Sequence, residues 1–92
     1  MNEIPAGQVT QFFEEKKLAV ITVTSFPVLS TDRLKLEGKD DKHFYQSAVS
    51  MKSLLKPNET IKEAKIGDRI TITVDAPVKE NSTVFKVIAP GK

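Results

Sequence analysis

The sequence predicts an all-β fold, a small closed six-stranded β-barrel, and three observations carry that expectation. Short stretches of alternating or β-branched residues recur from Gly7 to Ile88, and polar, Gly- or Pro-containing segments separate them. Almost no stretch keeps a helical period behind a capping residue. Closure follows from edges and faces. A flat sheet of this length would leave two unpaired edges and one apolar face, whereas a barrel pairs the edges and fills its interior with the inward side chains.

The first strand runs from Gly7 to Phe13, where Val9, Thr10, Phe12 and Phe13 suit a half-buried pleated surface. Glu14-Glu15-Lys16-Lys17 is polar and turns the chain. The second strand, Leu18 to Thr24, is rich in β-branched residues. Period two puts Ala19, Ile21 and Val23 on its core face and Leu18, Val20, Thr22 and Thr24 on the other. Phe26-Pro27 interrupts, because Pro27 has no ladder hydrogen to donate. Asp32 to Glu37 alternates cleanly, with Leu34 and Leu36 inward and Arg33, Lys35 and Glu37 outward.

Gly38-Lys39-Asp40-Asp41-Lys42 reads as a polar loop. His43 to Leu55 is predicted as a longer strand across the core, with Tyr45, Ser47, Val49 and Met51 on one face; its mixed pattern also permits a helix. Pro57-Asn58-Glu59 signals a turn. Thr60 to Lys65 reads as a bent connection or one helical turn, and Gly67-Asp68 leads into Arg69 to Asp75, whose Ile70, Ile72 and Val74 share a face. Ala76-Pro77 and Lys79 to Ser82 precede a last strand from Thr83 to Ile88, which Pro90-Gly91 ends.

Composition bounds the function. A chain of 92 residues has room for one core and one domain, 1–92, too little for a complete dinucleotide-binding domain or GTPase. Without Cys there is no disulfide framework, thiolate metal site or thiol nucleophile. No apolar run reaches the roughly 18 residues of a membrane helix, and Met1-Asn2-Glu3-Ile4-Pro5 lacks the basic and apolar regions of a signal peptide, so a cytoplasmic protein without membrane contact is expected. Residues 1–46 carry six basic and seven acidic side chains, and residues 47–92 carry eight and five. That excess permits a positive patch but is far from a basic stripe.

Chemistry-bearing residues are sparse. Asp40, Asp41 and His43 are of metal-ligating types, yet they have no recognised ligand spacing and no fourth partner, so a loop histidine is the expectation. Ser47 or Ser50 with His43 and an Asp supplies the residue types of a nucleophile, base and orienter, without a sign of an oxyanion site. No Gly-rich run ends in Gly-Lys-Ser or Gly-Lys-Thr, so nothing would wrap a nucleotide phosphate. The sequence therefore predicts no enzyme, no metal and no cofactor. The aromatics Phe12, Phe13, Phe26, Phe44, Tyr45 and Phe85 are expected in the core, with Phe44 and Tyr45 on opposite faces so that one of them can lie outside.

The ordered segments Gly7 to Phe13, Leu18 to Val23, Leu34-Lys35-Leu36-Glu37-Gly38, Val49-Ser50-Met51-Lys52, Ile61 to Asp68 and Val84-Phe85-Lys86-Val87 together resemble the β-barrel second domain of translational GTPases. They resemble most the small stand-alone translation elongation factor-like proteins, and are similar to the barrel appended to some peptidase U32-family proteins. Ser50-Met51 followed by Glu63-Ala64-Lys65-Ile66-Gly67-Asp68 is the most specific local match. Leu29-Ser30-Thr31-Asp32 departs from it, with Thr31 where the family commonly has Gly in a Leu-x-x-Gly-Asp turn, so a different turn geometry is expected there.

The resemblance implies a binding module that contacts structured RNA or a translation-associated protein. Its candidate surface is Arg33 and Lys35 on the third predicted strand, Lys39 and Lys42 in the following loop, and Lys52 and Lys56 at the end of the long segment. Phosphate contact is one reading of these residues; a solvated face balanced by Asp32, Glu37, Asp40 and Asp41 is the other. The alternative function is a structural or protein-interaction adaptor without RNA binding, using exposed Leu18 and Val20 or the Phe26-Pro27-Val28-Leu29 turn. Oligomeric state leaves no mark in the sequence.

Overall fold

The computed structural model describes residues 2–88. Within them ten strands follow one another: β1 (Asn2–Phe13), β2 (Leu18–Val23), β3 (Val28–Leu29), β4 (Arg33–Glu37), β5 (His43–Ser47), β6 (Lys52–Ser53), β7 (Lys56–Thr60), β8 (Glu63–Ala64), β9 (Arg69–Thr73) and β10 (Thr83–Ile88). The fold is all-β, with no helix among the described residues. Eight strands form one sheet in the order β5-β4-β10-β1-β2-β9-β6-β7, and β3 with β8 forms a second. The expectation of a closed six-stranded barrel is therefore corrected. The sheet curls, but its two ends, β5 and β7, do not share a backbone ladder.

β1 is the spine of the curl. Its first half pairs with β10 and its second half with β2, and the register slips once in each ladder, between Pro5 and Gly7 and between Val9 and Gln11. Each bulge adds local twist, which bends one 12-residue strand around the interior. The bulge at Ala6 stays hydrogen-bonded, since its carbonyl accepts the amides of Thr24 (3.0 Å) and Ser25 (3.1 Å). At Gly7 a Cβ would overlap the backbone carbonyl oxygen of Thr22, so only glycine admits this approach of β1 to β2. The strand begins before Gly7, where the sequence predicts its start, and takes in Pro5. β2 ends opposite Gly7, so Pro5 has a neighbour on the β10 side only and its missing donor is tolerated.

The predicted inward residues fill the interior: Ala19, Ile21, Val23, Leu34, Leu36, Ile70, Ile72 and Val74 are all buried, joined by Val9, Val28, Met51, Val78 and Val84. Phe44 packs against this cluster from one side. Lys86 also points inward, at one end of the curl. There its ammonium donates to the Pro27 carbonyl (2.9 Å) and pairs with Asp32 (3.0 Å) instead of reaching open water.

The seam between β5 and β9 is closed by a side chain. β6 pairs with β9 only at Ile70 and Thr71, which leaves the end of β9 without a strand neighbour on that side. Gln46 of β5 occupies the place: its Nε2 donates to the Thr73 carbonyl (2.7 Å) and its Oε1 accepts the Asp75 amide (3.3 Å). One side-chain amide thus does what the peptide unit of an adjoining strand would do, satisfying both backbone groups that flank Val74.

The long strand expected from His43 to Leu55 is two short ones, β5 and β6, with a turn between them. After β5 the chain turns, with the Met51 amide bonded to the Ala48 carbonyl (3.0 Å) and the Ala48 amide to the Asp32 carbonyl (3.0 Å). Ala48 and Met51 are buried while Val49 between them is 65% exposed, a spacing of three that alternation could not reveal. The expected turn at Pro57-Asn58-Glu59 lies instead within β7, an edge strand, where the backbone of a proline costs no interior ladder bond. Thr60 to Lys65 is a bend containing β8. The predicted stop at Pro90-Gly91 lies outside the described residues.

Two turns flank the small β3·β8 sheet and share one hydrogen-bond pattern. In the first, the Asp32 amide donates to the Leu29 carbonyl (2.9 Å) and the Asp32 carboxylate accepts the Leu29 amide (2.8 Å). In the second, the Asp68 amide donates to the Lys65 carbonyl (2.9 Å) and the Asp68 carboxylate accepts the Lys65 amide (2.9 Å). Gly67 takes a φ of 97°, the left-handed residue of a type II turn. Thr31 has no positive φ, so this turn differs in geometry from the one at Gly67 while the aspartate clasp is the same. No helix among the described residues is long and apolar enough to cross a membrane.

Candidate nucleic-acid interface

The outer face of β1, β10, β4 and β5 has no covering layer of strands, and register sets what it displays. One row across the four strands is Pro5, Phe85, Lys35 and Tyr45; the next is Glu3, Val87, Arg33 and Ser47. Aromatic rings therefore stand on both sides of Lys35. Neighbouring strands lie about 4.8 Å apart, which spaces Tyr45 and Phe85 by about 10 Å.

Polar contacts fix part of this surface. Glu3 pairs with Lys35 (2.9 Å) through one oxygen and accepts the Tyr45 hydroxyl (2.7 Å) through the other. The tyrosine hydrogen bond, and after it the lysine, hold the Glu3 carboxyl below its ordinary value. The same contacts with Glu3 push Lys35 and Tyr45 up. The Lys35 ammonium lies 5.7 Å from the Phe85 ring centre and the Arg33 guanidinium 5.6 Å from that of Tyr45. Arg33 has no salt-bridge partner among the described residues, so its head is the less constrained of the two cations.

Of the six residues predicted for a binding surface, Arg33 and Lys35 stand on this face. Lys39 lies beyond the end of β4, where it pairs with Glu14 (3.2 Å) and covers the Phe12 ring at 5.2 Å. Lys42 is exposed in the same loop. Lys52 and Lys56 lie on β6 and β7, at the opposite end of the sheet order from β4 and β5, and are not in that strand patch. Three residues of the face escaped the list. Tyr45 was expected as a core aromatic that could fall outside, and it is 41% exposed. Phe85 was assigned to the core, yet alternation with buried Val84 turns it outward, and that signal was legible in Val84-Phe85-Lys86-Val87. Glu3 had no strand to sit on once β1 was begun at Gly7.

The other constellations disperse. The Asp40 carboxylate accepts the Lys42 amide (3.1 Å) and Asp41 pairs with Lys79 (2.6 Å), which holds the Asp41 carboxyl below its ordinary value. Among the described residues no group of three metal-ligating side chains stands together. His43 and Ser47 share one strand face four residues apart, about 13 Å along β5, and the Ser47 hydroxyl accepts the Val49 amide (3.1 Å).

Apolar exposure gathers elsewhere. Val20 is buried, which removes the alternative of a patch built on exposed Leu18 and Val20; in the Phe26-Pro27-Val28-Leu29 turn Phe26 and Leu29 are exposed and Val28 is buried. Leu55, at the tip of the β6–β7 hairpin, is 90% exposed, and with Ser53, Leu54, Gly67, Asp68 and Arg69 it lines a shallow cavity of about 270 Å³.

Two solved structures share this architecture. Both are of the C-terminal domain of a Geobacillus thermoleovorans "putative U32 peptidase". The first has a TM-score of 0.77 at 15% identity over 90% of this chain and 91% of that one; the second, a selenomethionine variant, has 0.75 at 15% over 88% and 96%. The fold is thus shared with that U32-associated C-terminal domain. No protein-family model and no curated protein matches the sequence.

Proposed function

We propose that this protein is a non-catalytic binding module that contacts RNA through the outer face of β4, β5 and β10. The observation that carries the reading is the placement of Arg33 and Lys35 among Tyr45 and Phe85 on one uncovered sheet face. Cations meet phosphate, aromatics meet bases, and a rigid sheet holds both without ordering a loop. The resemblance to the second domain of translational GTPases and to elongation factor-like proteins supports the same reading and points to translation-associated RNA in the cytoplasm. The structural neighbours show this fold as the C-terminal domain of a larger protein, so it can serve as one module among others.

A pair of double variants tests the reading. Arg33→Ala with Lys35→Ala should weaken RNA binding, whereas Lys52→Ala with Lys56→Ala should leave it nearly unchanged. The reverse order would move the interface to the β6–β7 end. The exposed Phe26, Leu29, Leu54 and Leu55 favour a second reading, a protein adaptor. A partner held there would resist salt, while RNA binding weakens as salt rises.

A further inference from the structure

We infer that the nucleic acid this face takes is single-stranded, with an unpaired base inserted between the Arg33 guanidinium and the Tyr45 ring; the inference rests on the RNA-binding reading and narrows its substrate class.

The charge of the face argues against a duplex. Arg33 and Lys35 are its cations and Glu3 cancels one of them, so phosphate attraction alone is weak here. A duplex offers phosphates and groove edges but keeps its base faces stacked away, and it would leave Tyr45 without a partner. An unpaired nucleotide presents a planar face to the ring and a single phosphate to the neighbouring cation.

One side-chain movement admits it. The guanidinium is 5.6 Å from the Tyr45 ring centre, and a base in van der Waals contact with planar groups on both sides needs about 7 Å, roughly 3.5 Å on each side. Arg33 has only to swing outward by the difference, and no carboxylate among the described residues restrains it. Tyr45 is different, because the Glu3 carboxylate anchors its hydroxyl at 2.7 Å and fixes one edge of the ring. Opening therefore moves one side chain and keeps the stacking platform in place. Phe85, about 10 Å away with the Lys35 ammonium above it, offers a second platform for a neighbouring nucleotide.

The test compares an eight-nucleotide oligouridine with an eight-base-pair RNA duplex, in anisotropy titrations at fixed salt. The single strand should bind more tightly. Tyr45→Ala should weaken it about 5- to 150-fold, the range of one base–aromatic stack, and Tyr45→Phe should keep most of the affinity. Tyr45 is the sole tyrosine of a chain without tryptophan, so its ring protons are an unambiguous reporter and should move upfield when a base stacks. Duplex binding as tight as single-strand binding, with Tyr45→Ala neutral and Arg33→Ala weakening, would overturn the single-strand inference and leave the RNA reading standing. Binding of neither RNA would overturn both.

Discussion

Replacing Gln46 tests how the curled sheet is held. Its amide makes two hydrogen bonds across the seam, to the Thr73 carbonyl at 2.7 Å and from the Asp75 amide at 3.3 Å. Each bond is worth about 0.5–1.5 kcal/mol net, and water reaches both sites, so Gln46→Ala should cost about 1–2 kcal/mol in total. For a domain of this size that lowers the melting temperature by about 4–16 °C. Gln46→Glu separates the two bonds. A carboxylate still accepts the Asp75 amide but turns an oxygen toward the Thr73 carbonyl, so it should destabilise at least as much as alanine. Urea denaturation supplies the free energies, and amide hydrogen exchange supplies the location, because the Asp75 amide should lose protection while those of β1 and β2 keep theirs. A Gln46→Ala variant within about 0.5 kcal/mol of the parent, with Asp75 exchange unchanged, would refute the reasoning.

Three other perturbations probe separate parts of the fold. Ile21 is 1% exposed and faces Val9 and Ile70 on neighbouring strands, so Ile21→Ala should cost about 2–5 kcal/mol by denaturant unfolding, and a shift of the midpoint too small for that would reject its core role. Gly67→Ala places a side chain at a φ of 97°, in otherwise open space, and should cost about 1–2 kcal/mol through backbone strain alone; no loss would mean the turn is not left-handed. The Glu3 carboxyl is held below its ordinary 4.5, so its contribution to stability is complete above that pH and is lost as pH falls through the lowered value. Glu3→Gln should flatten stability against pH in that acid window, and an unchanged slope would contradict the Glu3 contacts.

How much was legible depends on where the information lies. Strands with one buried face announce themselves by alternation: β2, β4, β9 and β10 were read nearly to their ends because Ile21, Leu34, Ile72 and Val84 recur at period two. The split of His43 to Leu55 was not legible, since Ala48 and Met51 are buried by a turn and not by a pleat. Nor was the open seam, because a glutamine that completes a ladder looks in sequence like any polar residue on a strand. The basic half of the interface was visible in Arg33 and Lys35, whereas Glu3, Tyr45 and Phe85 join it only through register across four strands.

The most direct test of the binding account is an amide chemical-shift titration of the labelled protein with single-stranded RNA at about 0.15 M salt, where exposed charges are screened realistically. The account predicts saturable shifts confined to Arg33, Lys35, Tyr45, Phe85 and their neighbours on the outer face of β4, β5 and β10. Saturable shifts centred on Lys52 to Lys56, or none at high RNA concentration, would contradict it.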